Sequence, residues 1–397
     1  MAATAPAPRI ITLFVIAASG AAATNLCLPS LPNIAQHFQA DYSLVQLLVP
    51  GYLISTAILQ LVVGPLSDRY GRRPLVLGCM TLFVIASIAS VFAPSIEVLL
   101  MLRVVQGAAA GGMVLARAIV RDTVISANDA ASRIGYVTMG MAIMPMIGPA
   151  IGGLLDEAFG WESTFLLMAA FGLFAFTVAW FDVAETNHSR STSILAQVRT
   201  YPQLVRNIRF WGYSMTAGLS SGAFFAFLGG GPYVATEMLG FRPSEYGINF
   251  ALISGGYMLG NFISGRFSRR IGLDRMVLIG NVIGILGMLA GTVLTLTGHF
   301  SAIVLFAAAA ATAFGNGLTL PNANAGMVSV NPHLAGSASG LGGALQVTVG
   351  AGMALLAGAV IAGASTPLPL FYVMLASVVL GLVANLLLIG KPAAGRS

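Results

Sequence analysis

The chain has 397 residues, 57% of them hydrophobic and only 8% charged, against roughly 45–50% apolar and about 25% charged in soluble domains. So little polar surface cannot enclose a single water-soluble core. Its net charge of +6 is not a nucleic-acid footprint, because the Lys and Arg residues sit mostly in short connectors between apolar stretches.

In chain order, runs free of Asp, Glu, Lys and Arg cover residues 42–67, 74–96, 134–155, 163–181, 210–236 and 246–265. Each reaches the roughly 20 residues that a spanning helix needs. Residues 276–390 carry no formal charge, and polar breaks near 297–299, 321–332 and 366–369 divide them into four helices. The run after Arg9 and the segment 99–118 complete the set. The pattern predicts twelve spans, near 10–31, 43–66, 74–93, 98–119, 133–155, 163–182, 210–231, 246–266, 275–297, 300–320, 335–362 and 368–389. Helices are favoured because lipid offers backbone groups no outside partner, and a β-barrel would show alternating strands of about ten residues instead.

With the amino terminus inside, the inner face collects the basic residues from Arg9 and Arg69 through Arg275 to Lys391 and Arg396, while the outer loops receive only Arg242. That asymmetry predicts two cytoplasmic termini and an even number of spans in a cytoplasmic-type membrane. A signal peptide ending near Ala21–Ala23 is the competing reading of the first run, and it would place the basic loops outside. Cys27 and Cys79 fall on different spans, which suggests packing residues and neither a disulfide nor a metal site. No cofactor is expected.

The chain repeats itself. Gly64, Asp68, Gly71, Arg72 and Arg73 close the loop after the second span, and Gly265, Arg269, Gly272, Asp274 and Arg275 close the loop after the eighth, 201 residues later. Duplicated bundles are a common plan among carriers. The predicted fold is therefore an all-α membrane protein of 12 transmembrane helices in two six-helix bundles, 1–184 and 210–397, joined by a polar cytoplasmic linker at 185–209.

Three motifs carry the chemistry. The loop Gly64-Pro65-Leu66-Ser67-Asp68-Arg69-Tyr70-Gly71-Arg72-Arg73-Pro74 reads as a latch. Gly64 and Gly71 permit a tight turn, Asp68 can accept from arginines and helix-start amides, and the arginines can anchor to an anionic leaflet. In the fourth span, Arg103 and Gln106 lie inside an apolar run, with Arg103 about 9 Å along the axis from the outer end. A charge there costs a few kcal/mol, which points to an aqueous cavity or a partner within the bundle. Arg117, near the inner end, can snorkel. The fifth span holds Gly140, Pro145, Gly148, Pro149, Gly152 and Gly153, a set suited to close helix approach and to bending, hence to a hinge or a sealing face. It lacks the Lys and Ser/Thr of a phosphate loop.

These stretches resemble the major facilitator superfamily and, within it, the drug and proton antiporters of the Bcr/CflA type. Leu28-Pro29-Ser30-Leu31-Pro32, Gly231-Pro232-Tyr233-Val234 and Leu320-Pro321-Asn322-Ala323 are similar to text of that subfamily. The resemblance implies export of small amphipathic molecules such as drugs by alternating access, with the 64–74 loop bracing the two halves and the fifth-span motif marking an antiporter. It also implies a proton partner.

One departure bears on coupling. Members of that subfamily usually carry an aspartate where Asn25 stands, and none of the thirteen acids falls in the middle of a predicted span. Asp41 is the candidate coupling residue, and uncoupled export is the alternative. Polar and aromatic groups within spans are candidates for the substrate pocket: Asn25, Tyr52, Gln60, Phe224, Phe225, Tyr233, Asn316, Asn322 and Gln346, beside Arg103 and Gln106. With a buried cation and no buried acid, a neutral or anionic substrate suits such a pocket better than a dication. The expected partners are a small molecule, protons and the lipid bilayer, with no nucleic acid and a monomeric chain. Competing functions are an uptake symporter or facilitator for a sugar or metabolite, and a non-transporting receptor. An enzyme would need a cluster of His, Asp, Glu or Cys that four scattered histidines do not supply.

Overall fold

The computed structural model describes residues 7–124, 127–187, 201–331 and 334–389. Among these residues all regular structure is helical. Most of the expected linker, residues 188–200, lies outside the described residues. The chain divides into two compact units, Met1–Gln197 with Arg242–Ile248, and Val198–Phe241 with Asn249–Ser397.

The first unit contains α1 (Ile10–Asn25), a 3₁₀ turn (Leu28–Ser30), α2 (Leu31–Phe38), α3 (Tyr42–Val45), α4 (Leu48–Tyr70), α5 (Arg72–Val91) and α6 (Ile96–Gln106). A second 3₁₀ turn (Gly107–Ala109), α7 (Ala110–Thr123), α8 (Ala127–Phe159) and α9 (Glu162–Asp182) complete it. Leu13 and Ile16 of α1 pack with Met80, Leu115, Ile119 and Ala175 as its core, all fully buried. Ile54, Ile58, Leu82, Ile85, Phe174 and Phe181 are exposed, the outward apolar coat that lipid stabilises and water would not.

The second unit contains α10 (Tyr201–Val205), α11 (Ile208–Tyr233), a π-helical turn (Val234–Met238), most of α12 (Pro243–Ile271), α13 (Leu273–Leu296), α14 (Ala302–Ser329), α15 (Ala335–Ile361), α16 (Leu368–Ala384) and a final π-helical turn (Asn385–Ile389). Its packing depends on small residues. A side chain at Gly280 of α13 would meet the Gly315 carbonyl of α14, and one at Gly229 of α11 the Ala354 carbonyl of α15. Bare backbone at both positions lets the helices close to contact, as in membrane bundles generally.

Among the described residues, nine helical stretches are long and apolar enough to cross a membrane. Three further helices, α8, α11 and α12, have 33, 26 and 29 residues and lie over the fifth, seventh and eighth expected spans.

The structure corrects several boundaries. The first expected span, 10–31, turns at Leu28–Ser30 and continues as α2 to Phe38. The fourth, expected as one helix over 98–119, is interrupted at Gly107–Ala109. There a Cβ on Gly107 would strike Ser55, whose hydroxyl donates to the Val104 carbonyl at 2.6 Å, so α4 approaches too closely for a regular side-chain-bearing turn. Gly64, expected in a tight turn, lies inside α4, which runs on through Pro65 to Tyr70.

Candidate functional site

Gly71 ends α4 and starts α5 with φ +106°, a conformation open to glycine and costly to other residues. The reversal places Arg72 over the end of α4. Its guanidinium bonds Asp68 at 2.5 Å, Asp122 of α7 at 2.8 Å and the Ser67 hydroxyl, and Arg72 is only 3% exposed. One buried cation thus ties the ends of α4, α5 and α7 together. Arg73 donates to the Trp180 carbonyl at 3.0 Å and stacks over the Trp180 ring at 5.5 Å, while exposed Arg69 lies over Tyr70 at 5.3 Å.

Asp68 does not take the helix-start amides expected of it. Glu185, just past α9, accepts from the backbone N–H of Arg72 at 2.9 Å and of Arg73 at 3.3 Å, where the helix dipole favours a carboxylate. Asn187 then donates to the carbonyls of Ser67 and Asp68 at 3.3 and 2.8 Å. Asp68 is occupied by Arg72, and the carboxylate that caps α5 arrives from 113 residues away. Glu185→Ala is expected to lower the stability of the detergent-solubilised protein by about 1–2 kcal/mol, measured as a fall in melting temperature. An unchanged melting temperature would show that this cap adds nothing to the stability of the fold.

Arg103 is 1% exposed and therefore meets partners within the bundle, the second of the two expected environments. Its Nε donates to Leu48 O at 3.3 Å, Nη1 to Gln106 Oε1 at 2.8 Å, and Nη2 to Ala23 O at 2.7 Å and Cys27 Sγ at 3.1 Å. The guanidinium carbon stands 4.7 Å from the Tyr52 ring centroid. Tyr52 donates to Gly20 O, and Gln106 Nε2 reaches Ser87 and Ser90 of α5. Uncharged carbonyls and one aromatic face hold this cation at the junction of α1, α4, α5 and α6. Arg117 of α7 is partly buried, with Nε unpaired.

In α8, Gly148 and Gly152 face the end of α1. A Cβ at Gly148 would stand 3.1 Å from Asn25 Cβ, and one at Gly152 would collide with Leu26 O. Gly153 meets the Pro243 carbonyl, and Gly247 the Pro149 carbonyl, in the segment Arg242–Ile248 of the same unit. Gly140 and Pro145 lie further back in α8. Bare backbone at these positions makes this a face of near-contact on two sides.

A family model described as Major Facilitator Superfamily matches residues 13–346. The chain belongs to the Major Facilitator Superfamily. It is a multi-pass, lipid-embedded carrier that moves small molecules by secondary transport, and it is not an enzyme. An MFS-type transporter of Bacillus subtilis called YdgK is 31% identical over 94% of this chain and 93% of its own. Multidrug resistance protein D of Escherichia coli is 29% identical over 87% of this chain and 86% of its own. In fold, the chain is similar to a solved D-xylose–proton symporter, with a TM-score of 0.73 at 14% identity over 96% of each chain.

The remaining pocket candidates of this superfamily member fall in both units. In the first, Asn25 is 3% exposed and turns its amide back to Ala21 O at 2.8 Å, and Gln60 is partly buried. In the second, Asn322 donates to Ser264 Oγ at 2.8 Å and Leu318 O at 2.7 Å, and Asn316 is 4% exposed. Tyr233 and Gln346 are partly buried. Phe224 and Phe225 join an edge-to-face cluster with Phe250, which continues through Phe227 to Phe306 and Phe241. Asp41, the coupling candidate, is exposed at the start of α3.

Sequence reasoning missed Glu185, the Ser220–Asn281 bond in the second unit at 2.7 Å, and Asp156, which is buried. Each looks like an ordinary loop or packing residue until the fold supplies its partner.

Proposed function

We propose that this carrier exports small amphipathic molecules, drugs and xenobiotics among them, across a cytoplasmic membrane in exchange for protons, as a Bcr/CflA-type antiporter. Twelve crossings in two six-helix bundles, 1–184 and 210–397, with both termini cytoplasmic, would be made by the nine apolar stretches together with α8, α11 and α12. The working unit is a monomer without cofactor or nucleic-acid partner. The observation that carries the reading is the Gly148–Gly152–Gly153 face of α8, which packs backbone against backbone in the manner expected of a sealing face. The name of the relative called Multidrug resistance protein D supports drugs as the class of cargo.

In this reading the latch of Asp68, Arg69, Gly71, Arg72 and Arg73 steadies one access state, and Arg103 sets a positive interior potential. Neutral or anionic cargo should be preferred over dications. The test is uptake of chloramphenicol and of ethidium into everted vesicles, with and without an imposed pH gradient. Chloramphenicol should accumulate more strongly than ethidium. Preferential ethidium transport would end the charge argument, and no transport of either would end the export reading.

A second reading is uptake of a sugar or metabolite. It draws on the fold shared with the D-xylose–proton symporter and on the interior of the second unit, where Asn281, Asn316, Asn322, Thr312 and Thr319 are buried and uncharged. Such groups suit a hydroxyl-rich solute, since each amide offers both a donor and an acceptor. Proton-driven xylose uptake into right-side-out vesicles, without chloramphenicol export, would favour it.

A further inference from the structure

Proton-linked export needs a carboxyl that can lose and regain its charge within the protein. Asn25 does not titrate, and Asp41 is exposed. Asp156 is 4% exposed and is the one buried acid among the described residues. It sits one residue beyond the expected end of the fifth span, three residues after Gly153. Its Oδ2 accepts from Asn33 Nδ2 at 2.5 Å. Its Oδ1 has no hydrogen-bond partner, and neither does the hydroxyl of Ser30, fully buried in the 3₁₀ turn after α1. Ser30 nevertheless lies close enough to act on the carboxyl.

No cation compensates this group among the described residues. Glu157, its neighbour, accepts from the N–H and hydroxyl of Ser244 at 3.2 and 2.7 Å, and Glu162 opens α9. Both acids act on Asp156 as like charges. His37, further along α2, packs edge-on against Trp161 with ring centroids 5.3 Å apart. Neither α1 nor α9 contains Lys or Arg. Arg117 and Arg121 of α7 lie toward its inner end, Arg103 is held by carbonyls, and Arg242 bonds Glu245 at 3.2 Å. An ionised carboxylate buried without a cation is costly, whereas its protonated form carries no charge and still accepts from Asn33.

We propose that Asp156, seated between Asn33 and Ser30, is the carboxyl that carries the coupling proton. This rests on the reading of the chain as a proton-linked exporter. Loading transfers one proton from water to the carboxylate and neutralises it, so that the new O–H can donate to Ser30. Unloading returns the proton to water and restores the charge, and no other bond changes. The shared carboxyl and the α8 glycines lie on one helix, which joins proton occupancy to the face packed against α1.

Burial, reinforced by Glu162 and Glu157 and opposed by the Asn33 hydrogen bond and by nearby Ser30, pushes the carboxyl up to about 6. Because this value exceeds the 3.8 of a free aspartate, the group's contribution to stability is full below 3.8 and is lost as pH rises through about 6. Asp156→Asn should flatten that part of the pH dependence of melting temperature.

The test uses the full-length protein in proteoliposomes, with chloramphenicol and ethidium as probes, comparing wild type with Asp156→Asn, Asp156→Glu and Asp41→Asn. In pH-difference infrared spectra the wild type should show a carboxyl protonation band that Asp156→Asn lacks. Gradient-driven accumulation should be lost in Asp156→Asn, while probe exchange without a gradient persists. Accumulation should survive in Asp156→Glu and Asp41→Asn. Equal gradient-driven accumulation by wild type and Asp156→Asn would overturn the proposal, as would an unchanged infrared band. A wild type that moves neither probe while the band titrates would overturn the export reading and leave the protonation of Asp156 standing.

Discussion

Arg103→Leu is expected to abolish transport and to cost the solubilised protein roughly 3 kcal/mol or more of stability, because one partner is removed from a buried polar network. Leucine fills much of the volume but donates nothing. The carbonyls of Leu48 and Ala23, and Gln106 Oε1, which now receive its N–H groups, would face an apolar side chain. Each buried acceptor left unpaired costs about 1–3 kcal/mol, and loss of the Tyr52 face removes a further cation–π contact. Arg103→Lys should recover little, since a point ammonium cannot span three acceptors on different helices as a planar fork does. The measurement is melting temperature alongside chloramphenicol transport. A variant with wild-type stability would show that the carbonyls find other donors and that the guanidinium is dispensable to the fold.

Gly152→Leu is expected to have the next largest effect, a destabilisation of about 1–3 kcal/mol with loss of transport, as overpacking forces backbone apart. The obstacle is the Leu26 carbonyl, which belongs to the main chain and cannot rotate away as a side chain would. Relief requires α8 to move off α1, and the same shift would disturb Asn33 and Asp156 nearby in the fold. A leucine at Gly255, where a Cβ meets nothing within 4 Å, is the matched control and should be tolerated. Equal behaviour of the two variants would remove the close approach from the mechanism.

Much of the membrane plan was legible in the residues. Long uncharged runs and basic connectors follow from transfer energies that act on segments one at a time, so the apolar helices could be read without knowing what they touch. Of the two glycines expected to permit a tight turn, Gly71 does so with a φ of +106°, whereas Gly64 lies inside α4. The division of labour among the charged groups around this reversal was not legible. Which carboxylate caps α5 depends on Glu185 returning from the end of α9, a contact between residues 113 positions apart that no local pattern encodes.

The break at Gly107–Ala109 was hidden for a similar reason. Small residues read as a smooth apolar helix, and only the approach of Ser55 shows why the turn tightens there. Asp156 is the most consequential case. Near the end of an apolar run it looked like a solvated loop acid, since burial is a property of what covers a residue and α2 with its preceding turn could be placed over it only in three dimensions.

The sequence by itself determined that this chain is threaded many times through lipid and belongs with the superfamily's carriers, because hydrophobicity, charge asymmetry and motif spacing are all written along the chain. The tertiary structure alone decided which charges are paired, which are buried and which helices meet backbone to backbone, because those depend on distances between segments that are remote in sequence.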